Sequence, residues 1–394
     1  MGIARRYVWA GLALLAGGCA AAPPPPAGIG SQTPAAVAGT DCRTTSVSLY
    51  FDFDGAAPSA CSVTGDRNFS LLVTPEHAPP INPSPWYAFR YEASGDAPVT
   101  ATLRYLGGKH RYSPKIAEPG GAWRDLQVEV AADGSNAVLR LPGGNRIVAA
   151  QEVIVPDDAR ADLARWSAAS GAPVFTLGAS HDGRTIAAIR LGRADAPRLV
   201  ILLGRQHPPE VTGAIAMTAF VDALARRADT LGDVQVLVVP MLNPDGAARG
   251  HWRANRGAID LNRDWGDFTQ PETRAVKAWL DALPTTVRPV LMVDFHSTAR
   301  NLFYVQGDEA SPAQKRFLAA WLEGRERAVP AYPFTIEPRN ANPGSGTAKN
   351  WFHARYAIPA YTYEVGDSAD RSATRMMAKA LAETLPASLD RLND

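Results

Sequence analysis

Four short apolar runs in the C-terminal part of the chain constrain its fold more than any other feature. Between the runs, apolar residues recur at spacings of three and four, which indicates helices. Continuous apolar strands that alternate with such helices are typical of a largely parallel sheet covered on both faces. The runs are Leu199–Leu203, Val234–Val239, Val290–Val293 and Ala360–Tyr363.

Three helices are predicted in the same region, at Val211–Arg227, Pro271–Leu283 and Pro312–Val329. The runs and helices together predict an α/β domain at residues 156–394, with a mostly parallel mixed sheet flanked by helices. In such open sheets the ligand binds beyond the carboxyl ends of the strands. The residues that follow each apolar run are therefore where we look for chemistry.

Before Pro156 the chain has a different pattern, with short segments in which apolar and polar residues alternate. Gly, Pro, Asp and Asn separate these segments, as is typical of turns between strands. The sequence therefore predicts an antiparallel β-sandwich domain at residues 41–155, with little helix. The predicted strands are Ser46–Phe51, Trp86–Glu92, Val99–Tyr105, Leu126–Val130 and Ala137–Leu141.

Residues 1–19 have the layout of a secretory signal peptide, with two arginines, an apolar run and then small residues. The segment resembles a bacterial lipoprotein signal, in which the final cysteine, here Cys19, is lipidated. A leucine normally stands three residues before that cysteine, where this chain has Ala16, so lipidation and simple cleavage both remain open. In either case we expect an exported protein, either in the periplasm or attached to the outer membrane or cell envelope as a lipoprotein.

Residues 20–40 contain no charged residue and no apolar periodicity, and they therefore predict a flexible linker. Two further cysteines, Cys42 and Cys61, follow this linker. In an oxidising compartment such cysteines are expected to pair. Neither has a His or another Cys beside it, so the sequence does not support a zinc site there. We predict a structural disulfide between them.

The charges of the chain are balanced, with 40 Lys and Arg residues against 39 Asp and Glu residues and a net charge of +1. No overall field draws such a protein to nucleic acid or to an anionic membrane. We therefore expect no nucleic-acid partner, and membrane contact only through the possible N-terminal lipid.

Side chains that can bind a metal ion stand at the ends of three of the predicted strands. His207 and Glu210 come after the first run, His296 comes after the third, and Glu364 ends the fourth. Two imidazoles and one carboxylate form a ligand set of catalytic zinc that leaves one position open for water. Glu364 is then a spare carboxylate that can accept a proton from that water.

The order of these motifs resembles that of the carboxypeptidase A-like zinc peptidases, and the resemblance covers roughly Pro197–Gly366. It implies a zinc carboxypeptidase-like α/β fold. The motifs are H-x-x-E at 207–210, N-P-D-G at 243–246, Trp252-Arg253, Asp-Leu-Asn-Arg-Asp-Trp at 260–265, a strand-end His-Ser at 296–297 and the strand-end Glu364.

The upstream segment is similar to the β-domain of the cytosolic carboxypeptidase branch of this family. The similarity consists of Asn82, the aromatic stretch at 86–90 and the stretch Arg-Tyr-Ser-Pro-Lys at 111–115. One feature departs from the pancreatic-type enzymes, which place a capping tyrosine on a loop before the final strand. The stretch Arg339–Trp351 contains no tyrosine.

The resemblance implies that His207, Glu210 and His296 bind one zinc ion per chain and that Glu364 is the general base. Asp260 matches the acid that fixes the ring of the first ligand histidine through its other nitrogen.

Substrate-binding roles are implied as well. Arg253 would polarise the scissile carbonyl, while Asn262 and Arg263 would hold the terminal carboxylate of the substrate. Lys349 falls at the position that lines the pocket for the departing side chain, and an ammonium there would favour Glu, Asp or another residue with an extra carboxylate. The alternative is that Lys349 extends into solvent.

These features predict an exported zinc metallocarboxypeptidase that removes C-terminal residues from peptides or from peptidoglycan stem peptides, using zinc-activated water and Glu364. One alternative is a zinc-dependent deacylase or amidase of N-acyl amino acids or stem peptides, in which Asp-Leu-Asn-Arg also occurs. Another is a non-catalytic peptide-binding module. The upstream β-segment and Trp252-Arg253 favour the peptidase, and an intact ligand set together with Glu364 argues against the module.

Overall fold

The computed structural model describes residues 42–57, 60–340, 342 and 344–393. The predicted signal at 1–19, the linker at 20–40 and the lipidation site Cys19 lie outside these residues. Within the described part, no helix combines the length and the apolar character needed to cross a membrane.

The first part of the described chain is all strand, and it forms two five-stranded sheets with the orders β1-β4-β10-β6-β7 and β2-β3-β5-β9-β8. Every pairing in these sheets is antiparallel except that of β3 with β5, which is parallel and departs from the predicted arrangement. The strands are β1 (Val47–Tyr50), β2 (Ala60–Gly65), β3 (Asn68–Val73), β4 (Ala88–Ala93), β5 (Val99–Tyr105), β6 (Lys115–Ala117), β7 (Arg124–Asp125), β8 (Val128–Val130), β9 (Asn136–Leu141) and β10 (Gly144–Ala149).

Alternation explains how this β-rich segment forms its core. In β5, Val99, Ala101 and Leu103 are fully buried, while the threonines between them are partly exposed. Since alternate strand residues point to opposite faces, each sheet presents one apolar face, and the two faces pack in a shared cluster.

The core of the β-rich segment does not end at residue 155. Val211, Ile215 and Trp252 belong to the same apolar cluster, although they lie well beyond the predicted boundary. The described residues fall within one compact unit. The division of the chain into domains at residues 155 and 156 stays a prediction.

The second part of the chain contains an eight-stranded mixed sheet with the order β11-β12-β14-β13-β15-β18-β16-β17. The four predicted apolar runs are its contiguous strands β14, β13, β15 and β18, which are parallel to one another. Their carboxyl ends therefore share one edge. The strands are β11 (Val174–Ala179), β12 (Thr185–Leu191), β13 (Arg198–Gly204), β14 (Val234–Val239), β15 (Arg288–Thr298), β16 (Leu302–Val305), β17 (Thr335–Pro338) and β18 (Ala360–Gly366).

Helices cover both faces of this sheet. Val200 and Leu202 of β13 pack with α1, α2, α5 and α7, while the alternate residues of β13 pack with α4 and α6 on the other face. The helices are α1 (Pro156–Ser170), α2 (Val211–Ala225), α3 (Pro244–Arg249), α4 (Pro271–Asp281), α5 (Pro312–Trp321), α6 (Ala348–Tyr356) and α7 (Arg371–Leu389).

The predicted helix Pro312–Val329 is too long, because α5 ends at Trp321. Gly324 follows with a φ of +80°, a left-handed conformation that a helix cannot continue through. Leu322 and Val329 contact the apolar core from the turns beyond the helix, which explains why they extend the apolar periodicity.

The predicted disulfide joins Cys42 to Cys61, with their Cα atoms 5.9 Å apart. Cys42 lies just before β1 and Cys61 lies in β2. Since these strands belong to different sheets, the disulfide links the two sheets of the β-rich segment.

Candidate metal centre and active site

Three predicted ligands meet at the carboxyl ends of β13 and β15. Nδ1 of His207 lies 2.8 Å from Oε1 of Glu210, and Nδ1 of His296 lies 2.6 Å from Oε2 of the same carboxylate. One donor atom from each of the three residues lies within 4.8 Å of the others, and all three side chains are buried. This is the only such group of three found within the described residues.

The second nitrogen of each imidazole is held by a different carboxylate. Nε2 of His207 lies 2.8 Å from Asp260, and Nε2 of His296 lies 2.7 Å from Asp294. A carboxylate at Nε2 places the proton there and leaves Nδ1 with a free lone pair, which is the arrangement of a metal-ligating histidine. The donor set therefore fits zinc.

Asp294 was not assigned a role from the sequence, although it stands two residues before His296. That spacing places both side chains on the same face of β15. Asp294 is fully buried and also accepts a hydrogen bond of 2.6 Å from Nε2 of Gln206. The position of Asp294 two residues before a predicted ligand histidine was the sequence signal that could have identified it.

A close helix contact positions the ligands. Glu210 is the N-cap of α2, and Gly213 in the first turn of that helix packs against the backbone of His296. A Cβ atom at Gly213 would lie 2.5 Å from the His296 carbonyl oxygen. Only glycine therefore allows α2 to approach β15 so closely. Ser297 strengthens the contact by accepting a hydrogen bond from the Gly213 N–H.

Electrostatics keep the Glu210 carboxylate ionised. Burial alone would raise its pKa, but His207 and His296 outweigh burial and hold the pKa well below its usual range. The pKa of His296 is raised well above its usual value, because Asp294 and Glu210 outweigh burial. Both shifts have the same cause, the attraction between imidazoles and carboxylates in a buried cluster.

Glu364 faces the ligand cluster from the neighbouring strand. It is the direct partner of His296 in the pairing of β15 with β18. Its Oε2 atom is buried and has no hydrogen-bond partner among the described residues. Burial raises the pKa of the Glu364 carboxyl to about 7, with His296 opposing the increase and Glu210 adding to it.

Asp260 connects a ligand histidine to an arginine. One of its oxygens contacts His207, and the other accepts a hydrogen bond of 2.7 Å from Nε of Arg253. Burial opposes ionisation of Asp260, yet His207 and Arg253 together hold its pKa well below the usual value. Nη1 of Arg253 lies 3.9 Å from Glu210, so the guanidinium borders the ligand cluster.

The two residues predicted to bind the terminal carboxylate differ in their surroundings. Asn262 is buried, accepts a hydrogen bond of 2.8 Å from the Ala348 N–H, and places Nδ2 3.2 Å from Nε2 of His296. Arg263 is exposed, and its Nη1 donates to the Asn262 carbonyl. Both residues belong to the short 3-10 turn Leu261–Arg263, which Asp260 caps.

Lys349 lies near this turn, in the first turn of α6, but it is not bonded to the ligand cluster. Its ammonium donates a hydrogen bond of 2.8 Å to the Arg339 carbonyl, and the side chain is buried. The alternative that Lys349 extends into solvent is therefore wrong. Burial lowers the pKa of Lys349 to about 8, and Glu309 opposes that change.

The candidate site lies in a part of the chain that matches a known sequence family. Residues 167–387 match the sequence family described as zinc carboxypeptidase. An uncharacterized protein of Zymomonas mobilis is 26% identical over 275 residues, which cover 66% of this chain and 67% of that protein. Cytosolic carboxypeptidase-like protein 5 of Rattus norvegicus is 37% identical over 78 residues, which span 18% of this chain and only 9% of the rat protein.

Solved structures share the fold. A metallo-carboxypeptidase from Burkholderia cenocepacia superposes with a TM-score of 0.72 at 19% identity, covering 88% of this chain and 99% of that one. A metallo-carboxypeptidase from Pseudomonas aeruginosa in complex with (2-guanidinoethylmercapto)succinic acid superposes with a TM-score of 0.68 at 20% identity, covering 87% and 99%. Each match covers a longer part of the chain than the α/β part alone, so both matches extend into the β-rich segment.

Proposed function

The chain belongs to the zinc carboxypeptidase family of peptide-bond hydrolases, and on this basis we propose that it is an exported metallocarboxypeptidase that releases the C-terminal residue of peptides. The observation that carries the proposal is the convergence of His207, Glu210 and His296 on one point, with Glu364 beside them in the next strand. Three ligand side chains and a separate carboxylate suit hydrolysis better than a structural metal site, which would use a fourth protein ligand.

One zinc ion per chain would be held by Nδ1 of His207, the carboxylate of Glu210 and Nδ1 of His296. When bound, zinc supplies Lewis-acid chemistry that polarises a carbonyl and makes water more acidic. Asp260 and Asp294 support this assignment because each fixes the proton of one ligand imidazole on the nitrogen that faces away from Glu210.

Glu364 would act as the general base. A raised pKa of about 7 suits a group that accepts a proton from the attacking water and then donates it to the departing amine at neutral pH. Its buried oxygen without a hydrogen-bond partner is free for that exchange. The position of Glu364 opposite His296 would keep the base beside the ligand cluster.

Arg253 would stabilise the negative charge that develops on the carbonyl oxygen. Asp260 binds its Nε atom, which orients the guanidinium and leaves the terminal nitrogens at the edge of the cluster. A fixed guanidinium is an effective donor to a developing oxyanion in a buried site.

Arg263 and Asn262 would bind the terminal carboxylate of the substrate. The exposed guanidinium of Arg263 can form a two-point contact with a carboxylate that arrives from solvent. The Asn262 amide nitrogen lies beside His296, and because Nε2 of that ring already carries a proton, the two amide N–H donors would be offered to the substrate. A carboxylate recognised at this point defines an enzyme that acts at chain ends.

The substrate class we propose is peptides with a free C-terminus, including peptidoglycan stem peptides, with a preference for an acidic final residue set by Lys349. Export and attachment through Cys19 are supported by the sequence pattern of residues 1–19. An exported enzyme would meet such substrates in the periplasm or at the cell envelope.

The decisive experiment compares two peptides that differ only at the C-terminus, one with a free carboxylate and one with an amide. The proposed enzyme releases the final residue from the first and leaves the second intact, because Arg263 and Asn262 require the carboxylate. Cleavage of both peptides, or of neither, would contradict the proposal. Activity confined to N-acyl amino acids would favour the deacylase, and binding without turnover would favour the peptide-binding module.

A further inference from the structure

Glu76 makes an unusual contact between the β-rich segment and the loop that carries Arg253. It lies between β3 and β4, and its carboxylate accepts hydrogen bonds from three consecutive backbone N–H groups. The distances are 2.8 Å to Trp252, 3.0 Å to Arg253 and 2.7 Å to Ala254. The β-rich segment thus reaches into the surroundings of the ligand cluster.

Three successive N–H groups that converge on one point form a cradle for an anion. These three donors lie in the loop between α3 and the turn Leu261–Arg263, outside the helices and strands. An ionised carboxylate satisfies all three at once, and such charge-assisted bonds are stronger than bonds between neutral groups. Glu76 therefore binds the backbone on both sides of Arg253 as well as at Arg253 itself.

The same loop packs against the β-rich segment at a second point. Gly250 has a φ of +62°, and a Cβ atom there would lie 2.7 Å from the Ala56 carbonyl oxygen. Both the conformation and the space therefore require glycine.

The side chain of Arg253 is fixed at its other end by Asp260, which also contacts His207. The chain of contacts therefore runs from Glu76 through the Arg253 backbone and guanidinium to a zinc ligand. A shift of the backbone at Arg253 would displace the guanidinium relative to that ligand. Displacements of about 1 Å in such groups can lower a catalytic rate by roughly 100-fold.

The β-rich segment also contacts the loop that follows the strand of Glu364 and the first residue of α7. Arg111 forms a salt bridge of 2.9 Å with Asp367, and Glu152 pairs with Arg371 through two hydrogen bonds of 2.9 Å. Charged side chains of the β-rich segment thus bind the loop of Arg253, the loop that follows β18 and the start of α7.

We propose that Glu76 is a positioning residue of the active site, which acts by holding Arg253 in place for the developing oxyanion. This inference rests on the proposed function, because it assumes the oxyanion role of Arg253. It assigns the β-rich segment a part in catalysis in addition to its packing. If the role of Glu76 were purely structural, its substitution would lower stability, and the effect on kcat would not depend on Arg253.

The test is a double-mutant cycle on the full chain, with kcat and KM measured on the peptide with a free C-terminus. We expect Glu76→Gln to lower kcat roughly tenfold with little change in KM, because the amide places its NH₂ group against an N–H donor. In the Arg253→Ala background the same substitution should change kcat less than twofold. Glu129→Gln is the matched control, since it breaks only an exposed ion pair of the same segment, and it should leave kcat unchanged.

An equal loss of kcat from Glu76→Gln in both backgrounds would overturn the proposal, as would an unchanged kcat. If Glu76→Gln does not fold, Glu76→Asp replaces it in the cycle, because it keeps the charge while withdrawing the carboxylate by one methylene.

Amide hydrogen exchange gives a readout that does not depend on activity. The peptide that contains residues 252–254 should exchange faster in Glu76→Gln than in the wild type or in Glu129→Gln. Unchanged exchange would overturn the proposal. A wild-type protein that cleaves no peptide would refute the proposed function, and the exchange measurement would still decide whether Glu76 holds the loop.

Discussion

His296 and Glu364 are direct partners in the parallel pairing of β15 with β18. In a parallel sheet, paired residues project their side chains to the same side, so the register alone places a ligand imidazole beside a spare carboxylate. A shift of one residue would turn the carboxylate to the opposite face. The pairing of these two strands thus determines whether the Glu364 carboxylate lies beside the candidate ligand cluster.

The separate role of Glu364 can be tested by Glu364→Gln. We expect zinc content and thermal stability close to the wild type, because the shape of the side chain is kept. Peptide hydrolysis should fall by roughly 100-fold or more, since the group that accepts the proton is removed. Near-normal turnover by the variant would exclude Glu364 as the base.

Asp294 is expected to tune the affinity for zinc through His296. In Asp294→Asn the carboxylate that holds the proton on Nε2 is lost, and affinity should fall by about 10- to 100-fold. Competition with a coloured chelator measures this constant directly. Asp195→Asn serves as the control, because Asp195 belongs to an exposed ion pair and should bind zinc as the wild type does. Equal affinities in the two variants would contradict the role of Asp294.

The selectivity assigned to Lys349 predicts a dependence on pH. Its pKa of about 8 means that the side chain is an ammonium below pH 8 and a neutral amine above it. The preference for C-terminal Glu over Leu, expressed as a ratio of kcat/KM values, should therefore decline as the pH rises from 7 to 9.

Two substitutions separate this effect from other titrations. Lys349→Arg keeps its charge across the range, so its preference should not change with pH. Lys349→Met should show no preference for Glu at any pH. A wild-type preference that stays constant from pH 7 to 9, or one that survives in Lys349→Met, would refute the assignment.

Gly213→Ala tests the close approach of α2 to β15. Alanine in an open helix position would stabilise the protein by up to about 1 kcal/mol relative to glycine. At this site the added methyl group meets the His296 backbone, and such overpacking costs about 1–3 kcal/mol. We expect a net loss of stability in denaturant unfolding and weaker zinc binding. An increase in stability would show that α2 can move away from β15 without a loss of folding free energy.

The sequence was sufficient to predict the centre of the α/β sheet, because β13, β14, β15 and β18 are buried on both faces and contain continuous apolar runs. It was less informative at the sheet edges. Strands such as β17, with partly exposed residues, have no such run.

The convergence of His207, Glu210 and His296 was predictable because each residue lies at or just after a recognisable strand end. The contacts that orient them were harder to infer. The proposed contribution of Glu76 depends on its contact with Arg253, 177 positions away, and no local sequence pattern predicts such a contact. Lys349 was assigned to a pocket from its position alone, whereas its hydrogen bond to Arg339 depends on how α6 meets the preceding loop.

The most direct test of the account is the zinc content of the purified protein and of the variants His207→Ala and His296→Ala, measured after dialysis against metal-free buffer. We predict close to one zinc ion per chain in the wild type and little zinc in either variant, because each loses one of three protein ligands. Full zinc content in both variants would contradict the assignment of His207, Glu210 and His296 as the metal centre.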